Sequence, residues 1–330
     1  MAIIGTNSLN LIDVAKRLDP NGDTADVAEM LSQTNEIIQD VPWVEGNLAT
    51  GNQSSIRTGL PTTIFRKLYQ GVPPSKSTAV QVTDTCGFLN ARSEPDVKVV
   101  AMANDPNMFR MDEASTFVEA MGQSFCTTLL YGDTSINPEQ FYGIAPRYSA
   151  ISGGASAQNI IDAGGTGTDN TSIYMIGWSK RTVFGIYPKN SQAGLKHTDE
   201  GEIRALDSNG YPFPAYGDRF EWDCGLVVRD WRYIVRIANI DVSDLQGNTA
   251  AAANLINMLI LAKRRFPTLS GIMPRIYGNR TVLAALDIQA LNKSSNALSI
   301  SEAAGQFTTN FLGIPLRELD QILNTEARIQ

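Results

Sequence analysis

The sequence predicts an α+β chain built on an elongated sheet, and three stretches carry that prediction: a long β-favouring run, one clear helix and a long hairpin. The run is Trp222 to Val242, WDCGLVVRDWRYIVRIANIDV, which contains no proline. Trp231, Tyr233, Val235 and Ile237 alternate with a set that includes Asp230, Arg232 and Arg236, the period-two pattern of a half-buried strand. A strand several times the usual length of about five or six residues suits an extended, architectural sheet better than a tight enzyme scaffold.

From the N-terminus, Ser8 to Leu18 has apolar residues at helical spacing and is stopped by Asp19-Pro20-Asn21-Gly22. Asp23 or Thr24 then caps a second helix carrying Val27, Met30, Leu31, Ile37 and Ile38, which Val41-Pro42 ends. Two short helices enclose no core, so they read as an arm that packs on something else. Ile56 to Tyr69 and Thr78 to Asn90 flank the turn-rich segment from Gln70 to Ser77 and read as a β-hairpin with a stiff Pro73-Pro74 tip. Neither hairpin arm has a continuous apolar face, and a lone hairpin is marginal in water, which favours an intersubunit role. Asp112 to Tyr131 is the clearest helix, with Ala114, Phe117, Val118, Met121, Phe125 and Leu129 on one stripe and Gly132 as a left-handed cap.

After the turn-rich passage Tyr131 to Tyr148, short strands alternate with Gly and Asn turns from Thr171 to Asp218. Thr249 caps an alanine-rich helix that Arg264-Arg265-Phe266-Pro267 ends, Asn279 or Arg280 starts another, and Phe311 to Leu316 is a closing strand.

Composition narrows the function. A chain of 330 residues with 43% hydrophobic and 18% charged residues folds, and has room for two lobes. No run of eighteen apolar residues exists, and MAIIGTNSLNLIDVAKRLDP lacks the pattern of a signal peptide, so no membrane is expected as a partner. Cys86, Cys126 and Cys224 lack CxxC spacing and read as small buried hydrophobes, with no metal site expected. A net charge of -7 argues against tight nucleic-acid binding. The glycine-rich Ala163 to Thr168 is followed by Asp169-Asn170 instead of Lys-Ser/Thr, so it reads as a flexible loop and not a phosphate cradle. His197, the only histidine, has no Ser or Cys nucleophile motif beside it and reads as a loop or interface residue. Glu200 and Glu202 read as scattered surface acids, and Arg264-Arg265 as a response to the helix dipole. No catalytic residue and no cofactor are expected.

The order of these pieces resembles the tailed-bacteriophage major capsid proteins, of podovirus type, with the Hong Kong 97 (Johnson) fold. The stretches that carry the resemblance are VPWVEGN, SIRTGLPTTIFRKLYQGV, YGDTSINPEQFYGI, AQNIIDAGGTGTDNTSIY, GLVVRDWRYIVRIANID, YGNRTVLAALD and FLGIPLRELD, which together span nearly the whole chain. The resemblance implies an N-terminal arm over 1–53, an extended hairpin loop over 54–96, and a peripheral domain with a spine helix (112–131) over 97–148. It also implies β-rich peripheral strands with an axial-domain excursion over 149–245, and an axial domain with a C-terminal strand over 246–330. It implies a subunit that self-assembles into hexamers and pentamers of an icosahedral shell around viral dsDNA, which it contacts weakly. Its expected partners are a separate scaffolding protein, a portal and a decoration protein; its place is the virion, after assembly in the bacterial host cytoplasm. Intersubunit contacts are expected at Arg57, Arg66, Lys67, Pro73, Pro74, Lys76, Asp230, Arg232 and Arg236. No N-terminal segment is expected to be cleaved off, and shells boiled in denaturant are expected to release monomers without cross-links through Lys76. The competing class is a β-rich surface or carbohydrate-binding structural protein, with a hydrolase third.

Overall fold

The computed structural model describes residues 35–103, 105–207, 209–247, 254–292, 298–303 and 306–330. Of the two expected N-terminal helices, the first lies outside the described residues, and of the second only the final turn α1, Ile37–Asp40, falls within them. The proposed Thr249 cap also lies outside them.

The clearest helix is there and starts earlier than its apolar stripe predicts: α3 runs Pro106–Tyr131, after a short α2 at Val97–Ala101. Asp105 sets the start, because its carboxylate accepts from the Asn107 and Met108 amides and Pro106 sits where no amide is needed. Met121, Phe125, Cys126, Leu129 and Leu130 are buried, and Phe125 stacks on Trp222 at 4.6 Å between ring centres. Gly132 ends the helix, but with φ -55, outside the left-handed region. The glycine answers a close approach instead: a Cβ there would run into the Phe141 and Thr128 carbonyl oxygens, where Gly143 donates to the Gly132 carbonyl at 2.7 Å. Gly132→Ala is therefore expected to cost about 2 kcal/mol, because rigid backbone must shift to admit the methyl group. A lowered midpoint of thermal unfolding checks it.

Around this helix the strands form one continuous hydrogen-bonded network with two regions. In the first, the wholly buried β5 (Asn170–Trp178) lies between β9 (Ile234–Asp241) and β10 (Met273–Gly278), with β4 (Ile160–Asp162) parallel outside β9. β13 (Ile314–Glu318) continues it outside β10, followed by β12 (Gln306–Phe311) and β11 (Leu298–Ala303). Three helices accompany this region: α4 (Val242–Gln246), α5 (Leu255–Arg265) and α6 (Arg280–Asn292). Asn279 caps α6 by accepting from the Val282 amide at 2.9 Å, and Phe266-Pro267 ends α5, both as the sequence predicts.

The second region is a ribbon on β8 (Pro212–Val228), a strand of 17 residues. It pairs with β7 (Lys196–Leu206), β3 (Thr78–Ser93) and β6 (Val183–Tyr187); β2 (Gly51–Gly59) lies beyond β3, and β1 (Trp43–Glu45) beside β6.

Three expectations need correction. The run Trp222 to Val242 is two strands, β8 and β9, which belong to different regions. Between them Arg229 turns to bond Thr182, and the Asp230 carboxylate accepts from the Arg232 amide, closing a 3-10 turn at Trp231–Tyr233. β9 is buried on both faces, not half-buried. The first hairpin arm ends at Gly59, since Pro61 has no amide to continue the ladder, and residues 60–77 carry no strand. The closing strand is also a hairpin: Leu312 and Gly313 both have positive φ, +48 and +83, and join Phe311 to Ile314 in a two-residue turn.

Candidate assembly interface

The feature that the fold does not absorb is the segment joining β2 to β3. Every residue from Leu60 to Gln81 is exposed, including Leu60, Phe65, Leu68, Tyr69 and Val72, and Phe65 and Tyr69 are as open as in an extended chain, at 105%. Large apolar side chains gathered on one projecting segment mark an interaction surface. The segment is also charged in one sense: from Gly46 to Thr83 there is no Asp or Glu, while Arg57, Arg66, Lys67 and Lys76 are present. None of these four has an acidic partner among the described residues. Pro73 and Pro74 stiffen the same segment.

The root of the hairpin is held as firmly as its tip is free. Asp84 on β3 is buried and takes a 2.7 Å ion pair from Arg147, which also donates to the Gly143 and Tyr142 carbonyls and lies over the Tyr142 ring. Arg229 donates to Ser54 at 3.3 Å from the other side. Beyond Thr85, β3 leaves β2 behind and pairs with β8 from Cys86 to Ser93, so the projecting end extends a strand of the main framework.

The expected charged face of the long strand comes apart. Asp230 and Arg232 lie on the turn between β8 and β9 and bond each other, Arg232 donating at 2.9 and 2.7 Å. Arg236 is buried inside the subunit, where β9 pairs with β5. Its guanidinium donates to Glu326 at 2.8 Å, to the Tyr148 carbonyl at 2.9 Å and to Ser172 at 3.1 Å. Glu326 in turn accepts from Tyr131 at 2.5 Å and from Ser172. Burial pushes the Tyr131 phenol well above its ordinary range, reinforced by Tyr174 and the Glu326 carboxylate, so it stays a donor. For Arg236, burial acts to lower the pKa and Tyr174 and Glu326 act to raise it; the net direction is up, and the cation persists. The polar cluster thus fastens the C-terminal segment to β5 and β9. Sequence reading missed Glu326 because nothing near it in the chain signals its partner.

A second clamp holds the start of the described chain. Asp40 of α1 accepts from Arg275 at 3.0 Å and from the Tyr277 hydroxyl at 3.0 Å, and Tyr277 accepts from the Trp178 indole at 2.7 Å. Arg317 reaches Glu36 at 3.2 Å.

The remaining candidates have local partners. His197 stands on β7, in a strand and not a loop, stacked on Phe220, with Nε2 2.9 Å from Asp218, which Arg110 of α3 also holds. Arg110 keeps the Asp199 carboxyl below its usual range. The Ala163 to Thr168 segment packs on β9, with the Gly165 amide donating to the Asn239 carbonyl. Burial pushes the Cys86 and Cys126 thiols up to about 12, so they stay protonated at neutral pH. Among the described residues there is no group of three His, Cys, Asp or Glu side chains able to hold a metal ion, and no helix is long and apolar enough to cross a membrane.

With this geometry in hand, the family model for "Major capsid protein GP7" matches residues 19–330. Among solved structures, the chain is similar to that of bacteriophage Epsilon15, at 33% identity and a TM-score of 0.79, covering 100% of this chain and 99% of that one. A chain of the bacteriophage JBD30 capsid also matches, at 10% identity and a TM-score of 0.48, covering 97% of this chain and 99% of that one. Among curated proteins, none matches significantly. The Epsilon15 likeness extends over both strand regions, the spine helix α3 and the projecting hairpin, so the Hong Kong 97-like architecture expected from the order of motifs holds, and the reading as a surface or carbohydrate-binding protein is not favoured. The chain belongs to the GP7 family of bacteriophage major capsid proteins and is a shell-forming subunit of the virion.

Proposed function

We propose that this subunit closes into hexamers and pentamers of an icosahedral shell around packaged dsDNA, and that the β2–β3 segment is the arm by which each copy grips its neighbour. The observation that carries this reading is the unbroken exposure of Leu60 to Gln81 on a firmly anchored root. Such a segment gains little within its own chain and becomes favourable only when a second copy covers it. Arg57, Arg66, Lys67, Pro73, Pro74 and Lys76 form one contact set on this arm; the exposed Arg232 and the half-buried Asp230, at the turn before β9, form another. The acidic net charge of -7 suits a wall that holds DNA only weakly and releases it. The subunit acts by assembly and not by catalysis. Scaffolding, portal and decoration proteins complete the particle, which forms in the host cytoplasm.

Electron microscopy of the purified chain tests this. Closed shells or regular capsomer sheets are expected, and monodisperse monomers at high concentration would sink the reading.

A further inference from the structure

The first strand region ends, on the side away from the Asp230 turn, in carboxylates that the assembly reading leaves unused. β4 runs out at Asp162 and β9 at Asp241, and the glycine-rich segment Ala163 to Thr168 leads through Asp169 into β5. Asp162 has donors of its own, the Gly164 amide and Asn239 Nδ2, both at 2.9 Å. Asp169 and Asp241 have no ion-pair partner among the described residues. Asp241 caps α4 through Oδ1, which accepts from the Asp244 amide at 3.1 Å and the Ser243 hydroxyl at 2.8 Å. These contacts, with the Ser243 and Gly167 amides, hold its carboxyl below the usual range, so it is an anion at neutral pH. Asp169 accepts from the Ser243 amide at 3.0 Å through Oδ2. The remaining oxygens, Asp169 Oδ1 and Asp241 Oδ2, both turn toward Gly167, where a Cβ would stand 2.6 and 2.9 Å from them. Gly167 is not at positive φ, so what its missing side chain supplies is room.

A second, independent observation sits on the next residue. Asn170 is 0% exposed, and its Oδ1 has no hydrogen-bond partner in the fold. Its Nδ2 donates to the Gly167 carbonyl at 2.7 Å, which ties the side chain across the loop. Oδ1 is thereby turned to the inner side of the loop, 2.8 Å from where a Cβ on Gly165 would stand. Gly165 is not at positive φ either, so here too the glycine leaves space and not a special backbone shape. Leaving a buried acceptor unmatched is costly, so such an atom marks the place of a donor or a cation.

We propose that the loop from Gly165 to Asn170, together with Asp241, is a binding site for a hard divalent cation, with Asp169 Oδ1, Asp241 Oδ2 and Asn170 Oδ1 as its protein ligands. Every donor is an oxygen, which selects calcium or magnesium over the metals that favour thiolate or imidazole. Calcium is the better match, because it takes six to eight oxygens in loose geometry, amide oxygens and water among them, whereas magnesium demands a near-ideal octahedron. Bound there, the ion neutralises two carboxylates that repel each other and gives the buried amide oxygen its partner. It also ties the β4–β5 connection to the end of β9 and the start of α4. Since the chain ends that it joins are brought together only by folding, calcium stabilises the folded subunit.

The test is thermal unfolding of the full chain, first dialysed against a chelator and then supplied with calcium chloride, magnesium chloride or sodium chloride at matched ionic strength. Millimolar calcium is expected to raise the unfolding midpoint by about 3 °C, magnesium by less, and sodium not at all. Asp169→Asn keeps an acceptor for the Ser243 amide and removes one charge, so it is expected to fold with a midpoint near that of the chelated wild type and to lose the calcium response. Equilibrium dialysis with radioactive calcium reads the site without reference to stability: one ion per wild-type chain is expected, with binding at least about tenfold weaker in Asp169→Asn. A wild-type chain that binds no calcium and shows no shift overturns the proposal, and the Asn170 oxygen is then served by water. An equal calcium shift in Asp169→Asn places the ion elsewhere and overturns it as well. A shift that sodium reproduces is charge screening only and has the same consequence.

Discussion

Replacing Val72 to Ser77 with a short Gly-Ser turn is expected to leave the isolated subunit folded and to stop it from forming stable shells. All six residues are exposed, and the bond that Ser75 donates to the Thr62 carbonyl at 2.9 Å joins two points of the same loop. What fixes the hairpin lies below, in the β2–β3 ladder from Gly51↔Thr85 to Gly59↔Thr78 and the Asp84–Arg147 pair, none of which the replacement touches. Circular dichroism and the unfolding midpoint of the monomer should therefore move little, within about 0.5 kcal/mol as for surface changes generally. Assembly should respond far more strongly, because the turn holds Phe65 to Tyr69 in reach of a neighbour, and Pro73 and Pro74 limit the freedom lost on docking. A variant that misfolds as a monomer would place the hairpin in its own subunit's core. One that assembles with wild-type resistance to heat would make the segment decorative.

The pieces of this fold that were legible in the sequence are those whose causes are local. The body of α3 follows from its apolar spacing, and α6 from the cap at Asn279, while the Asp105 cap that starts α3 six residues before Asp112 lies outside the apolar stripe and is not signalled by it. The hairpin was legible too, since neither arm offers a continuous apolar face to a core and Pro73 and Pro74 mark its tip, whereas the break at Pro61 was missed. The run from Trp222 to Val242 misled because alternation reports which side chains share a face and not which strands they bond. β8 pairs with β3, β6 and β7, and β9 with β4 and β5, and the change of partners hangs on the small Asp230 turn. The Leu312-Gly313 turn hid for another reason: a leucine at positive φ is uncommon, so Phe311 to Leu316 reads as one strand. Glu202 shows the limit on the functional side, since as one acid in a sequence it resembles any wetted residue. Only its exposed place on β7, without an ion-pair partner among the described residues, sets it apart.

The same limit explains Arg236, and it reverses the expected result of mutating it. As one charge among Asp230, Arg232 and Arg236 on a supposed polar face, it reads as a contact between subunits whose loss harms assembly first. The fold places it instead at 4% exposure, bonded to Glu326 ninety residues further on and donating also to Ser172 and to the Tyr148 and Ala145 carbonyls. Arg236→Ala would leave the Glu326 carboxylate buried among Tyr131, Ser172 and Tyr174 with its cation gone. Breaking a buried pair by removing one partner costs about 3–5 kcal/mol, a large fraction of the stability of an ordinary domain. Glu326→Ala should be nearly as harmful, because it strands the guanidinium between β5 and β9. The expected outcome for both is a subunit that is lost to aggregation or unfolds at much lower denaturant concentration before assembly is ever attempted. Arg232→Ala is the control, since Arg232 is half-exposed and its bonds among the described residues go to Asp230 beside it, and an exposed pair of this kind contributes no more than about 1 kcal/mol. Denaturant titration of the three soluble variants decides the matter. If Arg236→Ala unfolds at the wild-type midpoint and fails only in shell formation, the buried cluster is not what holds the C-terminal segment, and the charge acts between subunits after all.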